Sequence, residues 1–314
     1  MKLLVVNFHY YREKTYGSGI YPTSRKQLLS QVDLIHKNGY QFCSLAELIA
    51  LKKNSSIDDK KYCLLTFDDG LKEQLEAFSD LKKLGLPSHY FVCSRPYIEK
   101  DFLDVHKLHL IKTKVSDGKL HELMLNNKIF LEFDFNLELL KVQYRYDSLK
   151  SAKVKYFINF GLNAIERRIL LDSLFETAVG NMASALKDFY LSKDDIQLLD
   201  SDGFVGLHSH SHDSLGTLSL EQSLEEIQKN KSFLDSVGCS KIKSFSYPYG
   251  GKSAVRNDLD ESLTLMGVEF AFTMERKLNL DLSSPLTLGR FDTNDVFGGR
   301  NFDNSKHALG GITL

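Results

Sequence analysis

The chain has 314 residues, 42% of them hydrophobic, which is ample for a large buried core. Its 40 Lys and Arg offset 41 Asp and Glu to a net charge of −1, so there is no basic footprint for nucleic acid. No apolar run is long enough to span a bilayer, and no stable membrane insertion is expected.

Residues 3–8 read as a first strand. Apolar Leu28, Leu29, Val32 and Ile35 recur at helical spacing and predict a helix over 24–38 that stops at Gly39. A strand follows at 62–67, a helix at 71–84 closed by Gly85, and a strand at 89–93. From about 101 to 192 the composition shifts to Leu, Lys, Asp and Asn at helical period, predicting a mostly helical insertion with one strand at 129–135. Ser192 reads as a helix N-cap. Strands are expected at 204–207, 243–247, 270–273 and 286–291, and helices at 219–237 and 253–266. Strands alternating with helices predict a parallel α/β sheet. The expected division is 1–100 with 195–295 as one domain, 101–194 as the insertion and 296–314 as a C-terminal tail.

The four cysteines, Cys43, Cys63, Cys93 and Cys239, are far apart and form no C-x-x-C pair. Three lie in apolar runs and read as buried thiols of a reducing compartment. The opening Met1-Lys2-Leu3-Leu4-Val5-Val6 turns polar too soon for an export signal, so a cytoplasmic protein is expected.

Chemistry concentrates at the predicted strand ends. The run Thr66-Phe67-Asp68-Asp69-Gly70 places two adjacent carboxylates after an apolar strand. They repel each other unless one gains a cationic partner. Downstream, Val205-Gly206-Leu207-His208-Ser209-His210-Ser211-His212-Asp213 supplies imidazoles. One Asp and two His suit zinc and its first-row neighbours and leave open positions for a reaction. A third run, Ser244-Phe245-Ser246-Tyr247-Pro248-Tyr249-Gly250-Gly251, ends in a tight turn that brings backbone N–H groups close to a site.

In this order the three runs resemble the polysaccharide deacetylases, the NodB-type group of carbohydrate esterase family four. Thr66–Gly70 matches the first motif of that family, His208-Ser209-x-x-His212 its metal motif, and Tyr247-Pro248-Tyr249-Gly250 its third. Asn7-Phe8-His9-Tyr10, with Gly39-Tyr40 and Ser44-Leu45-Ala46-Glu47-Leu48, resembles the branch acting on poly-N-acetylglucosamine and other bacterial exopolysaccharides. The resemblance covers residues 1–100 and 195–295.

It implies a distorted (β/α) barrel with fewer than eight strands. It implies that Asp69, His208 and His212 hold a divalent metal, zinc first, with nickel, cobalt or iron(II) as alternatives. Asp68 would be the general base, and the Tyr249 N–H part of an oxyanion hole. Many members carry an arginine two places before the third-motif proline; here that place is Ser246, and Arg290 in Leu288-Gly289-Arg290-Phe291-Asp292 is the candidate replacement. The late Leu-x-x-His of many members is absent, and His9 matches the strand-end histidine that serves as acid in the exopolysaccharide branch. The implied activity is removal of N-acetyl groups from an amino sugar in a surface polysaccharide or glycan precursor.

Other readings stand beside these. The carboxylate and two histidines also suit a non-haem iron oxygenase, though the usual His-x-Asp spacing is absent. A metal-dependent amidohydrolase acting on a non-sugar amide and an inactive glycan-binding homologue are further alternatives. His210 shares a strand face with His208 and His212 and is a third candidate ligand. Arg290 could instead pair with Asp292. His106, His109 and His307 read as packing, surface or tail residues. Tyr10, Tyr11, Tyr16 and Tyr21 could stack on sugar rings or simply anchor loops.

Overall fold

The computed structural model describes residues 1–14, 20–54, 59–144, 147–239, 241–302, 308–309 and 312–313. Tyr16 and His307 lie outside the described residues. The chain divides into two compact units. One comprises residues 1–14, 22–94 and 188–314; the other is 95–187 with the short segment ending at Tyr21.

The first unit is built on parallel strands: β1 (Lys2–Phe8), β2 (Tyr40–Phe42), β3 (Lys61–Phe67), β4 (His89–Val92), β5 (Val205–Leu207), β6 (Ser244–Ser246), β7 (Phe270–Phe272) and β8 (Phe291–Asp292). The order is β7-β6-β5-β4-β3-β1-β8, with β2 added beside the first half of β3. Seven strands therefore make the wall, as expected. The last segment closes it: Leu288 bridges to Phe272 of β7, and Phe291 pairs with Val6 of β1.

Side chains alternate across the wall. Leu3, Val5, Tyr62, Leu64, Phe91, Phe270, Phe272 and Leu288 form one buried apolar cluster. Two residues further along three of these strands, the same face carries Asn7, Thr66 and Arg290, all buried. The interior thus turns from apolar to polar toward the C-terminal strand ends, where barrel folds place their sites. On the opposite face Phe8, Phe67 and Tyr90 stack in series, with ring centroids 5.0 and 4.9 Å apart. Gly206 lies where the wall leaves no room for a side chain. A Cβ there would strike the Ser244 hydroxyl and come within 2.6 Å of the Phe91 ring.

Helix ends follow local rules. Ser24, Ser192 and Ser219 each accept a backbone N–H of the first turn, and Gly238 ends the long helix Leu220–Val237 at φ 100°. Three expectations for this unit need correction. The helix at 71–84 begins only at Gln74, because Lys72 N–H and the Gly70 carbonyl are spent on Phe189 and Leu191. The helix at 253–266 is reduced to a 3₁₀ turn, Asn257–Leu259, and Asp260–Leu265. The Ala254 carbonyl there accepts Gly216 N–H instead of a helical rung. The strand at 286–291 is shortened because Pro285 opens a 3₁₀ turn, Pro285–Thr287.

The second unit is a set of short helices. Its many Asn and Ser act as caps: Ser116, Asn127, Asn136, Ser148, Asn163 and Asn181 each accept an N–H of the following turn. The strand expected at 129–135 is instead the helix Lys128–Glu132, started by the Asn127 side chain on Phe130 N–H. Phe130 packs edge-on against Phe157 and Phe135, so the apparent alternation reflects an aromatic cluster. Buried Arg95 pairs with Asp104 at 2.9 Å, and buried Lys107 with Asp101 at 2.9 Å and Asp172 at 2.5 Å. Arg167 holds the second oxygen of Asp104 at 2.8 Å. These charges satisfy one another, as buried ions must.

Candidate active site and metal centre

Asp69, His208 and His212 converge at the C-terminal strand ends. Asp69 Oδ1 lies 3.2 Å from His208 Nε2 and 3.3 Å from His212 Nε2. One ligand atom from each of the three lies within 4.8 Å of the others, and all three residues are buried. His208 Nδ1 donates to the Ser246 carbonyl at 2.7 Å, which turns Nε2 toward Asp69. That Nε2 is buried without a hydrogen-bond partner among the described residues. A buried lone pair so placed, beside a carboxylate and a second imidazole, fits a divalent cation of the zinc type.

The backbone is bent to make this convergence. Five described non-glycine residues have positive φ, and four of them line the site: Asp69 at 78°, Ser209 at 62°, His212 at 64° and Tyr249 at 59°. Such conformations cost about 1–3 kcal/mol each and cluster where function over-determines them. Gly250 follows at φ 58°, and a Cβ there would come within 2.6 Å of the Met274 N. The rings of His212 and Tyr249 meet edge-on, with centroids 4.8 Å apart.

Asp68 stands beside this centre, its Oδ2 3.8 Å from His208 Nε2. Arg290 grips it with two nitrogens, at 2.9 Å to Oδ1 and 2.8 Å to Oδ2. Ser246 donates to Oδ2 at 3.2 Å and Asn7 at 3.1 Å. Arg290 uses all five of its donors: Nε on the Thr273 carbonyl, the rest on Thr66, Ser246 and Asp68. Asp292, the alternative partner, instead accepts from Asn294. Burial alone would raise the Asp68 pKa. Arg290 outweighs it, with help from His208 and His9, and holds the carboxyl at about 2. Burial also opposes charge on His208, but Asp68 and Asp69 lift its pKa above the ordinary value.

His9 follows β1, and its carbonyl accepts from Gln74 at 3.0 Å. His210 is buried but turned to Ser94, whose hydroxyl lies 2.9 Å from its Nδ1, and stands outside the convergent triad. Tyr10 is buried, with its phenol held neutral by burial and by Asp69. Tyr11 donates its hydroxyl to Asp80 at 2.8 Å, a loop anchor. Tyr21 is half exposed, and His106 and His109 lie together on the helix Asp104–Lys114 of the second unit. Asn7 and Gln74 were missed from sequence. Asn7 carried a signal, the lone amide in an otherwise apolar strand; Gln74, among charged helix residues, carried none.

Residues 127–270 match the family described as polysaccharide deacetylase. That stretch includes both histidines and the Tyr247–Gly250 turn, while the fold brings the Asp68-Asp69 doublet to them. No curated protein matches the chain. Among solved structures, the Streptococcus pyogenes deacetylase PplD in complex with acetate is 13% identical, with a TM-score of 0.57 over 93% of this chain and 92% of that one. IcaB from Ammonifex degensii is 18% identical, with a TM-score of 0.56 over 92% and 91%. A de-N-acetylase from Aggregatibacter actinomycetemcomitans is 12% identical, with a TM-score of 0.55 over 95% and 97%. At such identities the likeness is one of fold. The chain therefore carries a polysaccharide deacetylase match over residues 127–270 and shares its fold with solved deacetylases.

Proposed function

We propose that this protein is a metal-dependent hydrolase that removes N-acetyl groups from an amino sugar in a bacterial surface polysaccharide or glycan precursor. One observation carries the reading: Asp69, His208 and His212 face a common point while Asp68, clasped by Arg290, sits beside them. The fold relatives are consistent with it, since one is a de-N-acetylase and another holds acetate, the acid such a reaction releases.

Asp69, His208 and His212 would hold the cation, zinc in the first instance. Bound there, it would supply Lewis acidity for an amide carbonyl and for water. Asp68 accepts the proton of the attacking water. The Tyr249 backbone N–H, presented by its left-handed turn, stabilises the tetrahedral oxyanion; loss of such a donor typically costs on the order of 10²–10³ in rate. His9 returns a proton to the departing amine. Base and acid need opposite protonation states near neutral pH, so their surroundings must differ. Arg290 and His208 keep Asp68 ionised.

The described helices include none long and apolar enough to cross a membrane. A cytoplasmic location stays part of the proposal, to be checked by fractionation. The deciding experiment strips the protein of metal, adds back zinc, nickel, cobalt or iron(II), and measures acetate release from N-acetylglucosamine oligomers and polymer. Metal-dependent acetate release supports the reading. A fully loaded protein that releases acetate from none of these overturns it, and release from non-sugar amides alone marks an amidohydrolase.

A further inference from the structure

Gln74 is fully buried at the start of the helix Gln74–Lys83. Its Nε2 donates to two carbonyls, that of Asp68 at 2.6 Å and that of His9 at 3.0 Å. These residues lie just past the ends of β3 and β1. The last backbone rung between those strands runs from Asp68 N–H to the Phe8 carbonyl at 3.0 Å. Beyond it the chains part: Asp69 turns at positive φ, and the Tyr10 carbonyl goes to Thr23. A side-chain amide therefore takes the place of the next rung, with both of its hydrogens engaged.

The two residues depend on this amide unequally. Asp68 has Arg290, Ser246 and Asn7 to hold it as well. His9 has no second hydrogen bond among the described residues. Losing the amide would free His9 and leave Asp68 nearly in place.

We propose that Gln74 is a positioning residue that fixes His9 relative to Asp68, and so sets the acid's reach to the leaving amine. This rests on the reading of His9 as the general acid. An amide cannot expel its amine without a proton, whereas an activated aryl acetate expels a phenolate that needs none. A misplaced acid therefore slows the first reaction selectively, while general damage slows both.

The test compares zinc-loaded wild type with Gln74→Met, which keeps the side-chain length and removes the donors, and with Gln74→Asn, which shortens the arm. Substrates are an N-acetylglucosamine oligomer and 4-nitrophenyl acetate. The amide-to-ester ratio of kcat is expected to fall on the order of 10- to 100-fold, the scale of an ångström-size misplacement. KM should stay within about twofold and zinc content should be unchanged. Should Gln74→Met fail to fold, Gln74→Asn carries the same expectation. A fall in both activities together, or in neither, overturns the proposal. His9→Ala is measured alongside. If its ratio equals the wild-type ratio, the acid reading itself is wrong; if its ratio falls while that of Gln74→Met does not, only the positioning proposal is lost.

Discussion

Arg290 reaches Asp68 from a different strand and closes on it with two parallel hydrogen bonds, at 2.9 and 2.8 Å, both residues being almost wholly buried. The place two residues before Pro248 holds Ser246, too short to carry charge. Its hydroxyl accepts from Arg290 at 2.8 Å and donates to Asp68 at 3.2 Å, linking the two. The planar guanidinium fork matters here, because an ammonium cannot reproduce two parallel bonds.

Removing that cation should leave a buried carboxylate uncompensated. Arg290→Met is expected to lower stability by about 3–5 kcal/mol. Thermal and urea unfolding would measure this, and a midpoint indistinguishable from wild type would refute it. The acid response follows from the same pair. With its folded pKa of about 2 below the ordinary value, Asp68 contributes stability that is present above pH ~4. It is lost as pH falls from there toward 2, and Arg290→Met should abolish that portion of the acid transition.

His89 predicts a second acid sensitivity, at less acidic pH. It is buried on β4 with Nε2 2.6 Å from the Ser244 hydroxyl. Burial drives its pKa down to about 3, against a small opposing pull from Asp68. Between pH 3 and 6.5 the unfolded chain binds the extra proton, so stability should decline as pH falls through that window. His89→Thr should flatten the slope of stability against pH from 6.5 to 4.5. An unaltered slope would assign the sensitivity elsewhere.

Asp68→Asn would separate the proposed base from the proposed metal ligands. The amide can keep acceptor contacts with Arg290 but cannot take up a proton. Zinc content should stay near wild type while kcat drops on the order of 10²–10⁴. Near-wild-type turnover in this variant would remove Asp68 from the role of base.

His208→Ala should lose both metal and turnover, since it deletes one of the three convergent ligand atoms. A related expectation concerns pH. Because Asp68 and Asp69 raise the His208 pKa, a proton competes with the cation for Nε2. Zinc affinity measured by calorimetry should therefore weaken as pH is lowered from 8 to 6. A constant affinity across that range would mean His208 is not a ligand.

Much of the site was legible because its parts are local. Asp68-Asp69, His208-x-x-x-His212 and the Tyr247–Gly250 turn each occupy a strand end, and a strand end is readable from an apolar run followed by polar residues. Arg290 was visible as a cation at a late strand end, but its pairing with Asp68 spans 222 residues and needed the closed barrel to be seen. Asn7 sits in an apolar strand, and its hydrogen-bond partner Asp68 lies 61 residues away in sequence, where no local pattern shows it. Gln74 was hidden because Lys72, Glu73 and Glu76 around it suggest a solvated helix face, while the backbone pairing of residues 70–72 turns that start inward. The residues at 129–135 alternate like a strand, but among the described residues no strand neighbours them to complete a ladder, and Asn127 starts a helix instead.

The segment from Leu288 to Asp292 joins β7 to β1 and also carries Arg290. Sealing the barrel and neutralising the buried Asp68 carboxylate are therefore one event. During synthesis the first strands emerge long before residue 290, and until it arrives Asp68 faces an open seam where water can reach it. A nascent chain halted short of that arginine would hold the histidines and the acids in sequence yet lack the cation that lets the doublet be enclosed.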